Sequence, residues 1–358
     1  MKINILCSID KSPSAMNRQL LEYGNYLYSK GHNVSVIKPV RRRLPENKRE
    51  SFEMKLAEIM YLISGKRIRE IKNLPWIKIK CPVRIIPSID EKYIEVSDIT
   101  FFSVKSFLPF LERLNQRCGK KVMRACSIWF AENIKSFPED IHLIANSSLI
   151  KKLLEERLKR EVFLCVNSVN TKIFNNPLDR EKIRTIGMFF YNKKPSHKGM
   201  EDGFWVMGEL YKKYPYLKFQ VCGEWREKYI PPFVKFIDGR YIENLVNFYR
   251  NTDILIFPGK KDACPNPPME AMACKCAVVT TEVGGISDYT VKGKSAVVVN
   301  PGDREGLLKG VITLLENNEY FRKISEEGYK KIQEFSVEKQ GEKLEKIFFH
   351  ITEKSMSD

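Results

Sequence analysis

The sequence predicts an α/β protein built from two doubly wound parallel sheets, and three observations lead there. Short apolar runs alternate with helix-period segments from end to end, the pattern of successive βαβ units. The alternation restarts after a turn-rich stretch at 167–182 that holds Asn167, Ser168, Asn170, Asn175, Asn176 and Pro177. Finally, 358 residues at 43% apolar composition are too many for one comfortable core and too apolar for disorder, whereas two lobes of ordinary size fit.

In chain order, strands are expected near 2–7, 33–38, 98–103, 120–125, 141–145 and 162–166, with helices near 15–29, 52–63, 106–117 and 147–159. The second series places strands near 183–190, 217–222, 253–257, 276–280 and 296–299, with helices between them. From 303 to 353 the pattern is nearly all helical, broken near Asn317-Asn318 and Phe335-Ser336. The expected division is a first domain at 1–165, a second at 166–335, and a terminal helix at 336–358 that packs back on the first.

The formal net charge of +17 is uneven: residues 1–165 carry 31 Lys and Arg against 18 Asp and Glu, the remainder 30 against 26. The densest part, 38–84, has 14 basic residues, Arg41, Arg42 and Arg43 among them, against 5 acidic ones. Such a patch suits an anionic membrane surface, a phosphorylated acceptor or nucleic acid, or is simply a solvated face. Within it Phe52, Leu56, Ile59, Met60 and Ile63 recur at helical spacing, as a core or acceptor-cleft helix or a membrane-surface helix would. The interleaved aromatic and basic pattern of an RNA-binding module is absent, so nucleic acid is not expected as a partner.

Nine scattered cysteines do not form a disulfide framework and fit a reducing cytoplasm. His32, His142, His197 and His350 lie far apart and are not spaced with the cysteines as a zinc site requires, so no metal is expected. The start of the chain is too short an apolar run for a signal peptide, and no run of about 18 apolar residues occurs, so a soluble or peripherally attached protein is expected. A G-x-G-x-x-G after the first strand is missing, which disfavours a dinucleotide dehydrogenase.

The most informative segment is 253–274. A buried-type strand runs into the Pro- and Gly-rich loop Pro258-Gly259-Lys260-Lys261-Asp262-Ala263-Cys264-Pro265-Asn266-Pro267, and then into a helix with Pro268 in its first turn. In a doubly wound sheet, loops of this kind lie where ligands bind. The helix start offers backbone N–H groups and a positive dipole end to a phosphate, and Glu270 stands in its first turn. On periodicity alone, Asp262 reads equally as a surface loop acid and Glu270 as a favourable first-turn charge.

Asp262, seven residues, Glu270 and then Ala271-Met272-Ala273-Cys274 resemble the acid-x7-Glu segment of the retaining glycosyltransferases of family 4, the group 1 transferases. The likeness continues through Ala277-Val278-Val279-Thr280-Thr281, Val283-Gly284-Gly285-Ile286-Ser287-Asp288 and Val297-Val298-Val299-Asn300-Pro301-Gly302-Asp303. Weaker matches occur at Gly31-His32-Asn33-Val34, Asn146-Ser147-Ser148, Val166-Asn167-Ser168, His197-Lys198-Gly199 and Phe335-Ser336-Val337-Glu338.

The resemblance implies a GT-B architecture: two facing Rossmann-like domains with a C-terminal crossover helix, acceptor on the first and nucleotide-sugar on the second. It implies that Asp262 contacts the donor sugar, Lys198 neutralises the diphosphate and Glu270 holds the ribose. Ala263, Cys264, Asn266, Met269, Gly187 and His197 would complete the donor site, and Ser14, Ala15 and Asn17 would meet the acceptor. It further implies retention of configuration, no cofactor beyond the sugar nucleotide, and a glycan or lipid-linked acceptor in cell-surface polysaccharide or glycolipid synthesis.

Four positions depart from the pattern. The first acid is Asp rather than Glu, prolines interrupt the loop after it, Met188 stands where an arginine is usual, and Ser12-Pro13-Ser14-Ala15 replaces a glycine pair. Lys193, Lys194 or His197 are the substitutes for that arginine. A GT-B sugar-nucleotide epimerase or hydrolase is the rival within the fold, and a basic nucleic-acid-binding protein the rival outside it.

Overall fold

The computed structural model describes residues 1–9, 14–40, 48–63, 73–180, 182–191, 196–224 and 229–353. Lys193, Lys194, Ser12, Pro13 and Arg41 to Arg43 lie outside the described residues. The chain forms two compact units: the first comprises 1–145, 151–165 and 341–358, the second 146–150 and 166–340.

The first unit contains strands β1 (Lys2–Leu6), β2 (Asn33–Pro39), β3 (Asn73–Leu74), β4 (Ile77–Lys78), β5 (Val83–Ile86), β6 (Ile99–Phe102), β7 (Lys120–Ala125), β8 (Ile141–Ala145) and β9 (Phe163–Leu164). Its helices are α1 (Ala15–Ser29), α2 (Lys48–Ile63), α3 (Leu108–Leu111), α4 (Ile128–Asn133) and most of α5 (Ser148–Leu158). Seven strands make a parallel sheet in the order β5-β2-β1-β6-β7-β8-β9, while β3 and β4 form a separate hairpin. Central strands such as β6 are buried at every position, which is why they read as unbroken apolar runs.

The second unit contains β10 (Thr185–Phe189), β11 (Lys218–Gly223), β12 (Val234–Asp238), β13 (Ile254–Phe257), β14 (Ala277–Thr281) and β15 (Val297–Val299), parallel throughout in the order β12-β11-β10-β13-β14-β15. Its helices are α6 (Met200–Lys213), α7 (Ile242–Arg250), α8 (Asn266–Ala273), α9 (Ile286–Tyr289), α10 (Arg304–Glu316) and α11 (Asn318–Ile332). Helix α12 (Val337–Glu353) closes the chain, and from Gly341 onward it belongs to the first unit. There Phe348 meets Phe101 edge to face and His32 Nε2 pairs with Glu345 at 2.6 Å.

The structure departs from the expected elements in several places, the β3–β4 hairpin and α4 among them. The edge strands β5 and β12 were not expected, because Arg84 in one and Lys235 and Asp238 in the other break the apolar run. The helix expected at 106–117 is instead a short helical turn, the four-residue α3 that Pro109 opens, and a second turn at Gln116–Cys118. The apolar stripe of α2 is not core: Phe52, Leu56, Ile59, Met60 and Ile63 are all exposed.

Below the second sheet, Arg180 staples the strand ends. Its guanidinium pairs with Asp253 at 2.8 Å and donates to the carbonyls of Lys275, Tyr249 and Cys274, while Asp253 also accepts from the backbone of Arg184 and Thr185. Removing one partner of a buried pair leaves the other charge uncompensated. Arg180→Ala should therefore cost about 3 kcal/mol or more of unfolding free energy, read as a lowered urea midpoint; a midpoint equal to wild type would show that the network contributes no net stability.

Candidate functional site

In the second sheet the strand order reverses between β10, which leads to β11 on one side, and β13, which leads to β14 on the other. A crevice opens outside the carboxyl ends of strands at such a reversal. The β10–α6 and β13–α8 loops emerge there, and they bring together the two residues that the sequence singled out first.

Lys198 Nζ lies 2.5 Å from Asp262 Oδ2, across 64 residues of sequence, and both side chains are largely buried. The Lys198 ammonium also sits 4.5 Å from the centre of the Tyr191 ring. Burial and the neighbouring Asp262 charge raise the Tyr191 phenol well above its ordinary pKa, so it stays a neutral hydrogen-bonding group. His197 is largely exposed beside Lys198; partial desolvation of its ring and the Lys198 charge lower its pKa from the ordinary value.

Backbone geometry locks these loops together. The amides of Lys260 and Lys261 donate to the His197 carbonyl at 2.7 and 3.1 Å. Gly199 has φ +67, and a Cβ there would stand 1.8 Å from the Pro258 carbonyl oxygen, so only glycine lets the two loops approach. At Gly284, φ +55, a Cβ would overlap the Asp262 and Ala263 carbonyls, and Gly285 N donates to Ala263 O at 2.9 Å.

The rest of the loop is buried. Ala263, Cys264 and Asn266 are each 6% exposed and Glu270 is 3% exposed; because α8 already starts at Asn266, Glu270 falls in its second turn and not in the first turn that the sequence suggested. The Tyr289 hydroxyl donates to Pro265 O at 2.9 Å. Met269 is fully buried, so any contribution to the site is through its backbone.

Gly187 stands apart from this cluster. It lies inside β10, where a Cβ would strike Thr252 and Phe248, and so serves the packing of the sheet rather than the crevice. The neighbouring Met188 is fully buried in the core, and Tyr191 occupies the space next to Lys198. In the first unit Ser14 occupies the N-cap position of α1 without a side-chain capping bond and Ala15 is exposed, both following β1 at the reversal between β1 and β6. Asn17 is turned inward instead, its amide donating to the Ser8 carbonyl. Among the described residues no group of three or more His, Cys, Asp or Glu is placed to hold a metal ion.

Sequence reasoning did not assign roles to Tyr191, Tyr289 or Asn167, which brace the loop from neighbouring segments. Tyr191 follows β10 and Asn167 follows β9, within the Val166-Asn167-Ser168 match, whereas Tyr289 ends the short helix α9.

A doubly wound domain with a cation, a carboxylate and a helix N-terminus at its switch point is the class of domain that binds phosphorylated sugars or nucleotides. Residues 181–331 match the family described as glycosyl transferases group 1. An uncharacterised glycosyltransferase of Methanocaldococcus jannaschii is 24% identical over 204 residues, 55% of this chain and 56% of that protein. The capsular polysaccharide biosynthesis glycosyltransferase CapM of Staphylococcus aureus is 26% identical over 110 residues, 30% of this chain and 29% of its own. The chain thus spans about half or less of the length of these curated relatives. HepE of Anabaena, solved in complex with UDP-glucose, superposes with a TM-score of 0.69 at 13% identity, covering 98% of this chain and 100% of that one. The fold is of the GT-B type.

Gly199→Ala tests the locked loops. The added methyl overlaps the Pro258 carbonyl, so the melting temperature should fall by several degrees, as a strained left-handed position demands; an unchanged melting curve would show that the loops separate freely.

Proposed function

We propose that the protein is a glycosyltransferase that moves a sugar from a nucleoside diphosphate sugar to an acceptor hydroxyl. The observation that carries this reading is the Lys198–Asp262 pair at the switch point, beside the start of α8. The bond between the anomeric carbon and the diphosphate breaks with its electron pair on the phosphate oxygen. The acceptor oxygen bonds to the same carbon and passes its proton to the departing diphosphate oxygen.

Two charges develop, and the site has a group suited to each. The Lys198 ammonium and the α8 N-terminus stabilise the departing diphosphate, and the Asp262 carboxylate stabilises a cationic sugar ring. In the free protein these two side chains neutralise each other, so the donor would exchange their contact for its own. Glu270 would meet the ribose. The likeness to group 1 transferases supports retention of configuration and a lysine in place of a metal at the diphosphate. The name of CapM supports an acceptor in surface polysaccharide synthesis.

The exposed stripe on α2 supports attachment to an anionic membrane on its cytoplasmic face. Ile63 is 80% and Phe52 67% exposed, in a region with 14 basic residues against 5 acidic ones over 38–84. Apolar side chains that enter a lipid interface beside several lysines and arginines gain both burial and charge attraction. Among the described residues no helix is long and apolar enough to cross a membrane.

Thermal shift with UDP, GDP, TDP and CMP reads out the donor class, since a ligand bound to the native state raises its melting temperature; no shift with any of the four would count against a nucleotide site. Lys198→Ala should lower turnover by about two orders of magnitude at saturating donor. Glu270→Ala should weaken the bare nucleoside diphosphate itself. Unchanged turnover in the first variant or unchanged affinity in the second removes the corresponding role.

Anionic vesicles should sediment the protein at low ionic strength and release it as salt rises. Replacing Phe52, Ile59 and Ile63 with Ser, or Arg41, Arg42 and Arg43 with Glu, should release it as well. Wild-type protein that stays in the supernatant would show that this face is only solvated.

A further inference from the structure

Three asparagines from separate segments of the second unit form a line of amides at the candidate donor loop. Asn167 Nδ2 donates to the Cys264 carbonyl at 2.8 Å and to Asn266 Oδ1 at 2.7 Å, and Asn146 Nδ2 donates to Asn167 Oδ1 at 3.4 Å. A carbonyl only accepts, so Cys264 decides which end of the Asn167 amide faces the loop. That decides the other two, because Asn266 must turn its oxygen toward Asn167 and Asn146 its nitrogen.

The line is therefore polarised. Asn146 and Asn266 are 2% and 6% exposed, yet among the described residues Asn146 Oδ1 meets no donor and Asn266 Nδ2 no acceptor. A buried donor without an acceptor destabilises a protein, and where one persists beside a binding loop it marks a place for a ligand atom.

The composition of the helix start points the same way. Helix α8 opens Asn266-Pro267-Pro268-Met269 behind Pro265, and prolines carry no N–H. Of the donors a helix start normally presents, only those of Asn266 and Met269 remain among these five residues. The side-chain amide of Asn266 supplies a donor where the prolines have removed backbone ones.

We propose that Asn266 Nδ2 hydrogen-bonds an oxygen of the diphosphate-sugar, and that Asn167 is a positioning residue that holds this amide with its nitrogen turned toward the ligand. The proposal rests on the glycosyl-transfer reading and adds to it a contact made by a side chain, set from 99 residues away. In Asn167→Asp the new carboxylate only accepts. Asn266 must then turn Nδ2 back to it and present Oδ1, which repels an oxygen.

Calorimetric titration with UDP-glucose, UDP-N-acetylglucosamine and GDP-mannose, and with UDP and GDP alone, tests this on the full chain. Asn266→Ala and Asn266→Asp should each weaken the nucleotide-sugar that wild type binds by about tenfold or more, the loss expected for a hydrogen bond to a polar or charged ligand atom. Asn167→Asp should weaken it similarly in the wild-type background and add nothing in the Asn266→Ala background. A merely structural Asn167 would lower affinity equally in both. A loss that extends to UDP or GDP assigns the contact to a phosphate oxygen, and a loss confined to the sugar nucleotide assigns it to a sugar hydroxyl. Wild-type affinity in both Asn266 variants overturns the proposal, and these two decide alone if Asn167→Asp does not fold. Wild-type protein that binds none of the five probes overturns the glycosyl-transfer reading itself.

Discussion

The reversal of strand order between β10 and β13 is the constraint on which the second unit's chemistry depends. Loops that leave neighbouring strands toward opposite sides of a sheet cannot cover the gap between them, so their ends stay accessible. The chain uses that gap to bring an ammonium and a carboxylate to 2.5 Å, beside the start of a helix. Both are largely removed from water, which strengthens their field on any charge placed nearby. The same proximity explains why both survive burial, since an isolated charge at either position would be costly.

Rigidity at the crevice comes from backbone approach rather than from large side chains. Gly199 and Gly284 take left-handed conformations at points where any Cβ would overlap a carbonyl, so the β10–α6, β13–α8 and β14–α9 loops interlock. Tyr289 and Asn167 then take up carbonyls of the proline-rich loop that no helix or strand satisfies. A loop with prolines at 258 and 265, followed by two more in the helix start, cannot bond to itself in the usual way, and its polar groups are met from neighbouring segments instead.

The first unit repeats the doubly wound plan with a different surface. Its sheet is closed off by residues of α12, through the ring contact of Phe348 with Phe101 and the pairing of His32 with Glu345. Helix α2 turns the polar Glu58 and the ring of Tyr61 toward Lys92 and Tyr93, which leaves the opposite, apolar stripe outside. An amphipathic helix oriented this way gives up burial within its own unit, which is the arrangement of a surface-seeking element.

The sequence by itself determined the two parallel sheets, their central strands and the position of the proline-rich loop between β13 and α8. Strands buried on both faces must be continuously apolar, and helices packed on them must be apolar on one stripe, so periodicity records both. It left β5 and β12 unread because edge strands carry charges, and it placed Gly187 at the site although that glycine packs inside β10. It identified Lys198 and Asp262 separately, by resemblance, without showing that they touch. Which face of α2 meets water, which residues of α12 join the first unit, and how Asn146, Asn167 and Asn266 align were decided only by the tertiary structure. Contacts between residues 64 or 99 positions apart leave no period in the chain, since they arise where separate elements happen to meet.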